Sequence, residues 1–224
     1  MTCVGAVIPA GGAGRRMGGQ AKAELTLLGV PLLQRVLDRF LTIADVQHIV
    51  VAVPATLLAD PPSWLTQPRV RLVPGGEARS DSVRNGLAAL PGEVDTVVIH
   101  DGARPLVSRE LIERVIALAR SGIGAIAALP ATDTIHVVDE QGSIVQTPER
   151  SVLWQAQTPQ AFPRAVIELA HRRALEEKVP ATDDAALVVR YGGAVEVVRG
   201  EPHNLKITVP ADVKFAEALL AARV

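Results

Sequence analysis

The sequence predicts an α/β fold in which a mostly parallel, twisted sheet carries helices on both of its faces. Three observations support this prediction. Short apolar runs rich in β-branched residues recur along the 224 residues, amphipathic segments with a helical period separate them, and the connections are short. Runs that are apolar at nearly every position are typical of strands buried on both faces. Because strand and helix alternate, right-handed crossovers and a Rossmann-like, doubly wound sheet are expected.

The individual elements follow from the same patterns. Strands are predicted, in chain order, at residues 3–9, 48–53, 70–73, 96–100, 125–129 and 195–198. Helices are predicted at residues 31–43, 80–90, 109–120, 163–177, 183–190 and 210–222. In the first helix, Leu33, Val36 and Phe40 share one face, which is the pattern of a helix that packs on a sheet. Ser108 is expected to cap the third helix.

One stretch departs from the alternation of strands and helices. Residues 134–138 and 143–146 are β-prone, and they flank residues 139–142, which have the composition of a hairpin turn. We therefore predict a single domain over residues 1–224 with a β-hairpin arm inserted at about residues 132–150. Because an isolated two-stranded hairpin is marginally stable, the arm is expected to pack on its own domain or on a second copy of the chain.

The composition argues against several classes of function. Lysine and arginine total 23 against 24 aspartates and glutamates, a formal charge of −1, so no general attraction to nucleic acids or anionic membranes is expected. Aromatic residues make up 3% of the chain, too few for a surface that stacks single-stranded bases. The first apolar run is too short to span a membrane. The single Cys3 forms no intramolecular disulfide, so we expect a cytoplasmic protein.

A glycine-rich loop directly follows the first strand, at the edge of the sheet where α/β proteins place ligands. Glycines there let backbone N–H groups wrap a phosphate chain. Arg15, Arg16 and Lys22 add three cations within eight positions. The loop has neither the Gly-Lys-Ser/Thr end of a Walker loop nor the dinucleotide-binding pattern. A tight structural turn is the alternative interpretation, and the cations favour phosphate binding instead.

Two further segments are candidates for ligand binding. Residues 75–83 link a strand to a helix that Ser80 or Asp81 is expected to cap. Hydroxyl and N–H groups at such a helix start can bind a base or a phosphate, although a purely structural cap is the alternative. The next strand ends at Asp101, a position where an acid commonly holds a metal or a ligand. Arg104 is expected to pair with Asp101 or with a phosphate.

Taken together, the motifs resemble those of the 2-C-methyl-D-erythritol 4-phosphate cytidylyltransferase family. The matching segments are residues 11–17, 75–83, 100–105, 158–162, 182–184 and 204–208, in order along nearly the whole chain. The resemblance implies an enzyme, a nucleotidyltransferase of the non-mevalonate isoprenoid pathway. It would transfer CMP from CTP to 2-C-methyl-D-erythritol 4-phosphate, forming 4-diphosphocytidyl-2-C-methyl-D-erythritol and releasing pyrophosphate. It also implies Mg²⁺ bound with the CTP phosphates, and a homodimer formed through the β-arm.

The resemblance also implies roles for individual residues. The implied catalytic residues are Arg16, Lys22, Arg150 and Lys206. The residues implied around CTP are Ala10, Gly11, Gly12, Ala13, Gly14, Gly76, Arg79, Ser82, Asp101 and Gly102, and Asp101 is also the implied magnesium ligand. Those implied around methylerythritol phosphate are Arg104, Thr134, Arg150, Thr158 and Lys206, with Thr134 and Arg150 supplied by the other subunit.

The chemistry that this family performs suits such a set of cations. A phosphate monoester has a second pKa near 6, so the acceptor is largely dianionic at pH 7 and needs no general base. One anion must approach another, so positioning and positive charge are expected to carry the catalysis. The five histidines have no metal-ligand spacing, so zinc is not expected. His100 is expected to be structural.

Two alternatives remain open. One is another nucleotidyltransferase of the same fold, acting on a sugar phosphate or on the molybdenum cofactor; residues 101–104 and 158–160 argue against it. The other is a nucleotide-binding protein without catalytic activity. The presence of Arg16, Lys22 and Lys206 together argues against that alternative, because binding alone would tolerate the loss of one cation.

Overall fold

The structure, a computed structural model, describes residues 3–12, 25–181 and 183–222. Within them the strands are β1 (Cys3–Pro9), β2 (Thr26–Leu27), β3 (Val30–Pro31), β4 (Val46–Val53), β5 (Val70–Pro74), β6 (Val94–Ile99), β7 (Gly124–Pro130), β8 (Val137–Val138), β9 (Ile144–Gln146), β10 (Trp154–Pro163) and β11 (Val195–Arg199). The helices are α1 (Leu32–Leu41), α2 (Ala55–Ala59), α3 (Arg79–Ala89), α4 (Arg109–Ala119), α5 (Arg164–Glu176), α6 (Asp184–Arg190) and α7 (Pro210–Ala221). Short 3-10 turns lie at Ser63–Leu65 and Arg150–Val152.

Seven of these strands form one twisted sheet in the order β11-β7-β10-β6-β1-β4-β5. Strand β10 runs antiparallel to its neighbours β6 and β7, and the other six strands run in one common direction. The predicted mostly parallel sheet is therefore confirmed. All six predicted strands and all six predicted helices are present, with ends that differ from the prediction by at most two residues.

Side chains of the central strands alternate between two cores, one on each face of the sheet. The first core lies under α1 and α4, and the second lies under α3, α5 and α6. In β1, Ala6 and Ile8 belong to the first core and Val7 to the second. A smaller cluster that includes Leu27 and Ala216 packs α7 against β2. The predicted helices on both faces are confirmed.

Local sequence signals account for the ends of individual helices. Helix α4 begins after Ser108, whose Oγ accepts a hydrogen bond from the backbone N–H of Leu111 at 3.0 Å, as predicted. Helix α3 begins at Arg79, and Asp81 is the capping side chain: its carboxylate accepts from the N–H of Ala78 at 2.9 Å. Of the two caps proposed for α3, Asp81 is thus the one in use.

Strand β10 was not predicted, because its sequence Trp-Gln-Ala-Gln-Thr-Pro-Gln-Ala-Phe-Pro lacks an apolar run and contains proline. It nevertheless occupies the centre of the sheet, between β6 and β7. Its ladder with β7 is irregular between Ala156 and Gln160, around Pro159. Hydrogen bonds to neighbouring loops stabilise the strand.

The predicted hairpin is confirmed: β8 pairs antiparallel with β9. Asp139 closes the turn, since its Oδ1 accepts from the N–H groups of Gln141 at 3.0 Å and Ser143 at 2.8 Å. Gly142 has a φ of +84°, a conformation that favours glycine. Among the described residues, no helix has both the length and the apolar character needed to cross a membrane.

Candidate active site

Three loops meet at the carboxyl edge of the parallel strands. They follow β1, β5 and β6, and β1 and β6 are neighbours in the sheet. Gly11 and Gly75 bring two of the loops into backbone contact: a Cβ added to Gly11 would lie 2.6 Å from the Cα of Gly75, and the reverse distance is 2.5 Å. The N–H of Gly102 donates to the carbonyl of Pro9 at 3.3 Å. The three loops therefore form one continuous surface.

The loop after β5 is held by the helix that follows it. The N–H of Gly76 donates to the buried Oγ of Ser82 at 3.0 Å. A Cβ on Gly76 would lie 2.1 Å from the Cβ of Asp81, so the loop passes too close to α3 for any larger residue. This arrangement fixes Arg79, the first residue of α3, at the edge of the site.

Asp101 lies at the centre of a group of charged side chains. Its Oδ1 is 2.7 Å from Nε of Arg79, and its Oδ2 is 2.7 Å from Nζ of Lys206 and 4.0 Å from Nε of Arg104. Its backbone N–H donates to Oγ1 of Thr158 at 3.0 Å. We call Asp101, Arg79, Arg104 and Lys206 the Asp101 cluster. It draws its members from the loop after β6, from α3 and from the segment after β11.

The Asp101 cluster keeps its central carboxylate ionised. Burial alone would raise the pKa of Asp101, but the charges of Arg79 and Lys206 hold the pKa below its usual range. Burial lowers the pKa of Arg104, and the charge of Asp101 acts in the opposite direction. Three cations thus surround one buried anion, which leaves a surplus of positive charge beside the glycine loop. Such a surface suits a phosphorylated ligand.

His100 lies directly behind the Asp101 cluster and is fully buried. Its Nε2 is 3.1 Å from the carbonyl of Arg104, to which it donates, and its Nδ1 is 3.2 Å from Oγ1 of Thr158. Burial lowers the pKa of His100 to about 4. The ring is therefore neutral at pH 7 with both nitrogens engaged, which supports the structural role expected from the sequence.

Hydrogen bonds with β10 attach the segment after β11 to the site. Asn204 donates from Nδ2 to the carbonyl of Thr158 at 2.8 Å, and its own carbonyl accepts from Nη1 of Arg104 at 2.8 Å. Gln157 donates from Nε2 to the carbonyl of Glu201 at 3.0 Å. These hydrogen bonds explain both the burial of a polar strand and the position of Lys206 beside Asp101.

Comparison with known proteins places the chain in a family. The sequence profile of the 2-C-methyl-D-erythritol 4-phosphate cytidylyltransferase family matches residues 4–222. A protein of that name from Desulforamulus reducens is 43% identical over 97% of this chain and 96% of its own length, and one from Thermosynechococcus vestitus is 44% identical over 97% and 95%. The chain belongs to the 2-C-methyl-D-erythritol 4-phosphate cytidylyltransferases.

A solved structure of the same name agrees with the fold of this family member. The crystal structure of 2-C-methyl-D-erythritol 4-phosphate cytidylyltransferase from Thermus thermophilus is similar to this chain with a TM-score of 0.82 and 36% identity, and each chain is covered completely. The resemblance drawn from the sequence motifs is therefore confirmed, and so is the fold class.

The structure brings together some of the residues expected to form the cytidylyltransferase site. Gly11, Gly76, Arg79, Ser82, Asp101, Gly102, Arg104, Thr158 and Lys206 all lie on the three loops or contact the Asp101 cluster. Ala10 donates from its N–H to the carbonyl of Ala52 at 2.8 Å at the start of the glycine loop, and Gly12 is exposed beyond it. Ala13, Gly14, Arg16 and Lys22 lie outside the described residues.

Two expected residues lie on the β-arm instead. Arg150 donates from Nη1 to the carbonyl of Thr132 at 2.9 Å at the base of the arm, and Thr134 is exposed on the segment that leads to β8. Within the described part of the chain, neither residue contacts Asp101. A single subunit therefore leaves these two residues apart from the cluster.

Two buried residues next to the site were not assigned a role from the sequence. Nη1 of Arg79 is 2.7 Å from Oδ2 of Asp184, and Oδ1 of Asp184 is 2.9 Å from Nε2 of His171. Asp184 belongs to a motif that the resemblance includes, but its partner depends on tertiary structure. His171 lies on the same apolar stripe of α5 as Ile167 and Ala170, and this placement is the signal that could have identified it.

Proposed function

We propose that this chain transfers CMP from CTP to 2-C-methyl-D-erythritol 4-phosphate at the Asp101 cluster, forming 4-diphosphocytidyl-2-C-methyl-D-erythritol and pyrophosphate. The observation that carries this proposal is the position of three cationic side chains around Asp101, directly beside the glycine loop. Membership of the family supports the choice of donor and acceptor. The chain acts as one nucleotidyltransferase domain with the β-arm as its insertion.

The reaction needs charge stabilisation more than proton transfer. An oxygen of the acceptor phosphate, already ionised at pH 7, attacks the α-phosphorus of CTP. The bond from the α-phosphorus to the oxygen that bridges it to the β-phosphorus breaks, and pyrophosphate leaves with that electron pair. Arg16, Lys22 and Lys206 stabilise the negative charge on the transferred phosphoryl group. His100 takes no proton in this scheme, because its lowered pKa and its two hydrogen-bond partners keep it neutral.

The ligands divide between the loops. CTP lies along the glycine loop and the loop after β5, with Gly12, Gly76 and Arg79 near its phosphates and base. Methylerythritol phosphate lies at Arg104, Thr158 and Lys206, where the hydroxyl and two cations match a phosphorylated polyol. Lys206 lies between the two ligands, so it contacts the phosphate that attacks.

Asp101 fits a magnesium site that has few protein ligands. Mg²⁺ usually takes one or two protein carboxylates together with substrate phosphates. Among the described residues no group of three or more His, Cys, Asp or Glu side chains could hold a metal, so Asp101 would hold the ion together with the CTP phosphates. Its lowered pKa keeps it ionised for that role. When bound, Mg²⁺ would neutralise charge on the CTP phosphates.

The β-arm, residues 132–150, is proposed to pair two subunits. Its strands expose Val137, Val138, Ile144 and Val145, of which the last two are 59% and 61% exposed. Contiguous exposed apolar side chains are typical of protein–protein contacts. Pairing through the arm would carry Thr134 and Arg150 to the Asp101 cluster of the other subunit and complete the acceptor site. We place the enzyme in the cytoplasm, which the single, buried Cys3 supports.

The proposal is tested by pyrophosphate release from CTP, Mg²⁺ and methylerythritol phosphate, with each of the other three nucleoside triphosphates in parallel. We expect release only when CTP and the acceptor are both present, and a product whose mass is that of 4-diphosphocytidyl-2-C-methyl-D-erythritol. Binding of CTP without release in a folded protein would instead support the non-catalytic alternative. Release with a different triphosphate or acceptor would support another nucleotidyltransferase.

A further inference from the structure

Arg79 is shared between two buried carboxylates on opposite sides of its guanidinium. Its Nε lies 2.7 Å from Asp101, inside the proposed site, and its Nη1 lies 2.7 Å from Asp184, which is behind the site and 1% exposed. A guanidinium that donates a hydrogen bond to one carboxylate and forms an ion pair with a second through another nitrogen is restrained in its direction. With Asp184 removed, the side chain would keep its contact to Asp101 and could rotate about it.

Asp184 is itself held by His171. Nε2 of His171 is 2.9 Å from Oδ1 of Asp184, and both side chains are almost fully buried, at 2% and 1% exposure. Within the described part of the chain, Nδ1 of His171 is buried without a hydrogen-bond partner. Among the described residues, the contact from Nε2 to Asp184 is therefore the polar contact that holds the His171 ring.

Strand β10, which carries Thr158, also holds the residues on both sides of Asp184. Gln160 of β10 accepts from the N–H of Ala185 at 3.2 Å through Oε1 and donates to Asp183 at 2.6 Å through Nε2. Asp183 in turn caps α6 by accepting from the N–H of Ala186 at 3.0 Å. Strand β10 therefore sets the position of Asp184 relative to the Asp101 cluster.

A buried ion pair of this kind is a poor device for stability alone. Desolvation of the charges offsets much of the attraction, and apolar residues of similar volume often stabilise a protein equally well. The guanidinium of this ion pair also contacts Asp101 in the proposed site. Positioning of Arg79 gives a reason for burying the charges of Asp184 and Arg79 together.

We propose that Asp184 and His171 are positioning residues for nucleotide binding: they orient the guanidinium of Arg79. This inference rests on the proposed function only for the identity of the nucleotide. Neither residue touches a substrate. Their loss is expected to weaken the use of CTP and to leave the use of the acceptor unchanged, because Asp101 keeps its contacts to Lys206 and Thr158, and Arg104 keeps its hydrogen bond to Asn204.

A matched pair of variants tests the contact between His171 and Asp184. In His171→Gln the amide nitrogen can replace Nε2 as the donor, whereas His171→Leu has a similar volume and no donor. We expect His171→Leu to raise the KM for CTP about tenfold, the usual loss for a hydrogen bond to a charged group. The KM for methylerythritol phosphate should stay unchanged, and His171→Gln should remain within about twofold of wild type. If His171→Leu fails to fold, Asp184→Asn, which keeps the shape of the side chain, should give the same CTP-specific loss.

A second measurement is independent of turnover. The Nε–H group of Arg79 gives a proton–nitrogen NMR signal that Arg79→Lys assigns by its loss. We expect this signal to shift or broaden in His171→Leu and to persist in His171→Gln. An unchanged signal together with an unchanged KM for CTP, even with a lower Tm, would overturn the proposal. A wild-type protein without CTP turnover would refute the proposed function, and the NMR comparison would then decide the positioning role alone.

Discussion

The Asp101 cluster and the β-arm differ in the surroundings of their side chains. In the cluster, a buried carboxylate meets three cations of the same chain, and the surrounding polar groups of β10 are hydrogen-bonded to neighbouring loops. In the arm, the apolar side chains of both strands are exposed. The cluster draws its members from one chain, whereas the apolar side chains of the arm form the surface that the proposed second subunit would cover.

The difference shows that the fold buries charged groups and exposes an apolar surface in separate regions. Charged groups that must be buried need fixed partners, and the loops at the carboxyl edge of a rigid sheet provide them. An apolar hairpin outside the sheet can instead be covered by association. The proposed acceptor site needs both regions, because Lys206 belongs to the cluster and Arg150 to the arm.

The largest expected effect comes from Lys22, a cation that the family resemblance assigns to catalysis. Lys22→Ala should lower turnover about 10²- to 10³-fold, the scale for removing one preorganised donor to a transition state. The fold should remain intact, as judged by far-UV circular dichroism. Lys214→Met, which removes an exposed lysine of α7, serves as the control and should leave turnover unchanged. Near-normal turnover of Lys22→Ala would show that the assignment of Lys22 to catalysis is wrong.

Removal of the central anion should destabilise the cluster itself. Asp101→Asn leaves Arg79 and Lys206 without their shared counter-charge, and breaking such a buried pair commonly costs about 3 kcal/mol. Urea unfolding should show this loss in the free energy of unfolding, with no change in the slope m. A loss below about 0.5 kcal/mol, the range of ordinary surface substitutions, would mean that the cations do not depend on Asp101.

The arm should respond to substitution without loss of the fold. Ile144→Asp places a charge in the proposed apolar contact and should weaken dimerisation by at least about 2 kcal/mol, the value of one buried isoleucine side chain. Light scattering across a dilution series would measure this change. Glu140→Gln, at the turn of the same arm, is the matched control and should leave the dimer intact. A wild-type protein that is monomeric at micromolar concentration would contradict pairing through the arm.

The effect that is smallest at each step is the pH dependence of the stability, which comes from His100 behind the cluster. Burial lowers the pKa of His100 from 6.5 to about 4, so between these values the unfolded chain binds a proton that the folded chain excludes. The free energy of unfolding should therefore fall as the pH falls from 6.5 towards 4, by at most about 1.4 kcal/mol per pH unit. The lowered pKa values of Asp101 and Asp184 act only below their ordinary value of 3.8, where their protonation reduces stability further.

The variant His100→Asn separates these two ranges of pH. Because asparagine does not titrate, the slope between pH 6.5 and 4 should be reduced, and the loss below pH 3.8 should remain. Urea unfolding of both proteins across this range measures the difference. The same slope in both proteins would show that His100 is not the titrating group.

The sequence was sufficient to predict those parts of the structure that a local pattern determines. Apolar runs, helical periods and the capping Ser108 predicted the elements of the sheet and its helices, and Asp101 and Arg104 were recognisable at the end of a predicted strand. Strand β10 escaped prediction because its burial depends on hydrogen bonds from Gln157 and Asn204 to distant segments. No periodic pattern encodes such contacts.

The partners of Arg79 escaped prediction for a related reason. Asp184 and His171 lie on different helices, and they meet Arg79 only when α3, α5 and α6 share one face of the sheet. The segment 182–184 was recognised as part of a family pattern, but a pattern gives no distances. Tertiary structure was needed to give these residues a role.

The central claim is that the cluster acts within its own subunit while the arm acts on the other one. It is tested most directly by mixing two inactive variants, Lys206→Ala and Arg150→Ala, after joint unfolding and refolding. If Arg150 acts across the dimer, each mixed dimer contains one complete site, and turnover should recover to about a quarter of the wild-type value. If Arg150 acts within its own subunit, both sites of every mixed dimer stay defective. Absence of recovery, with mixed dimers shown to form, would contradict the account.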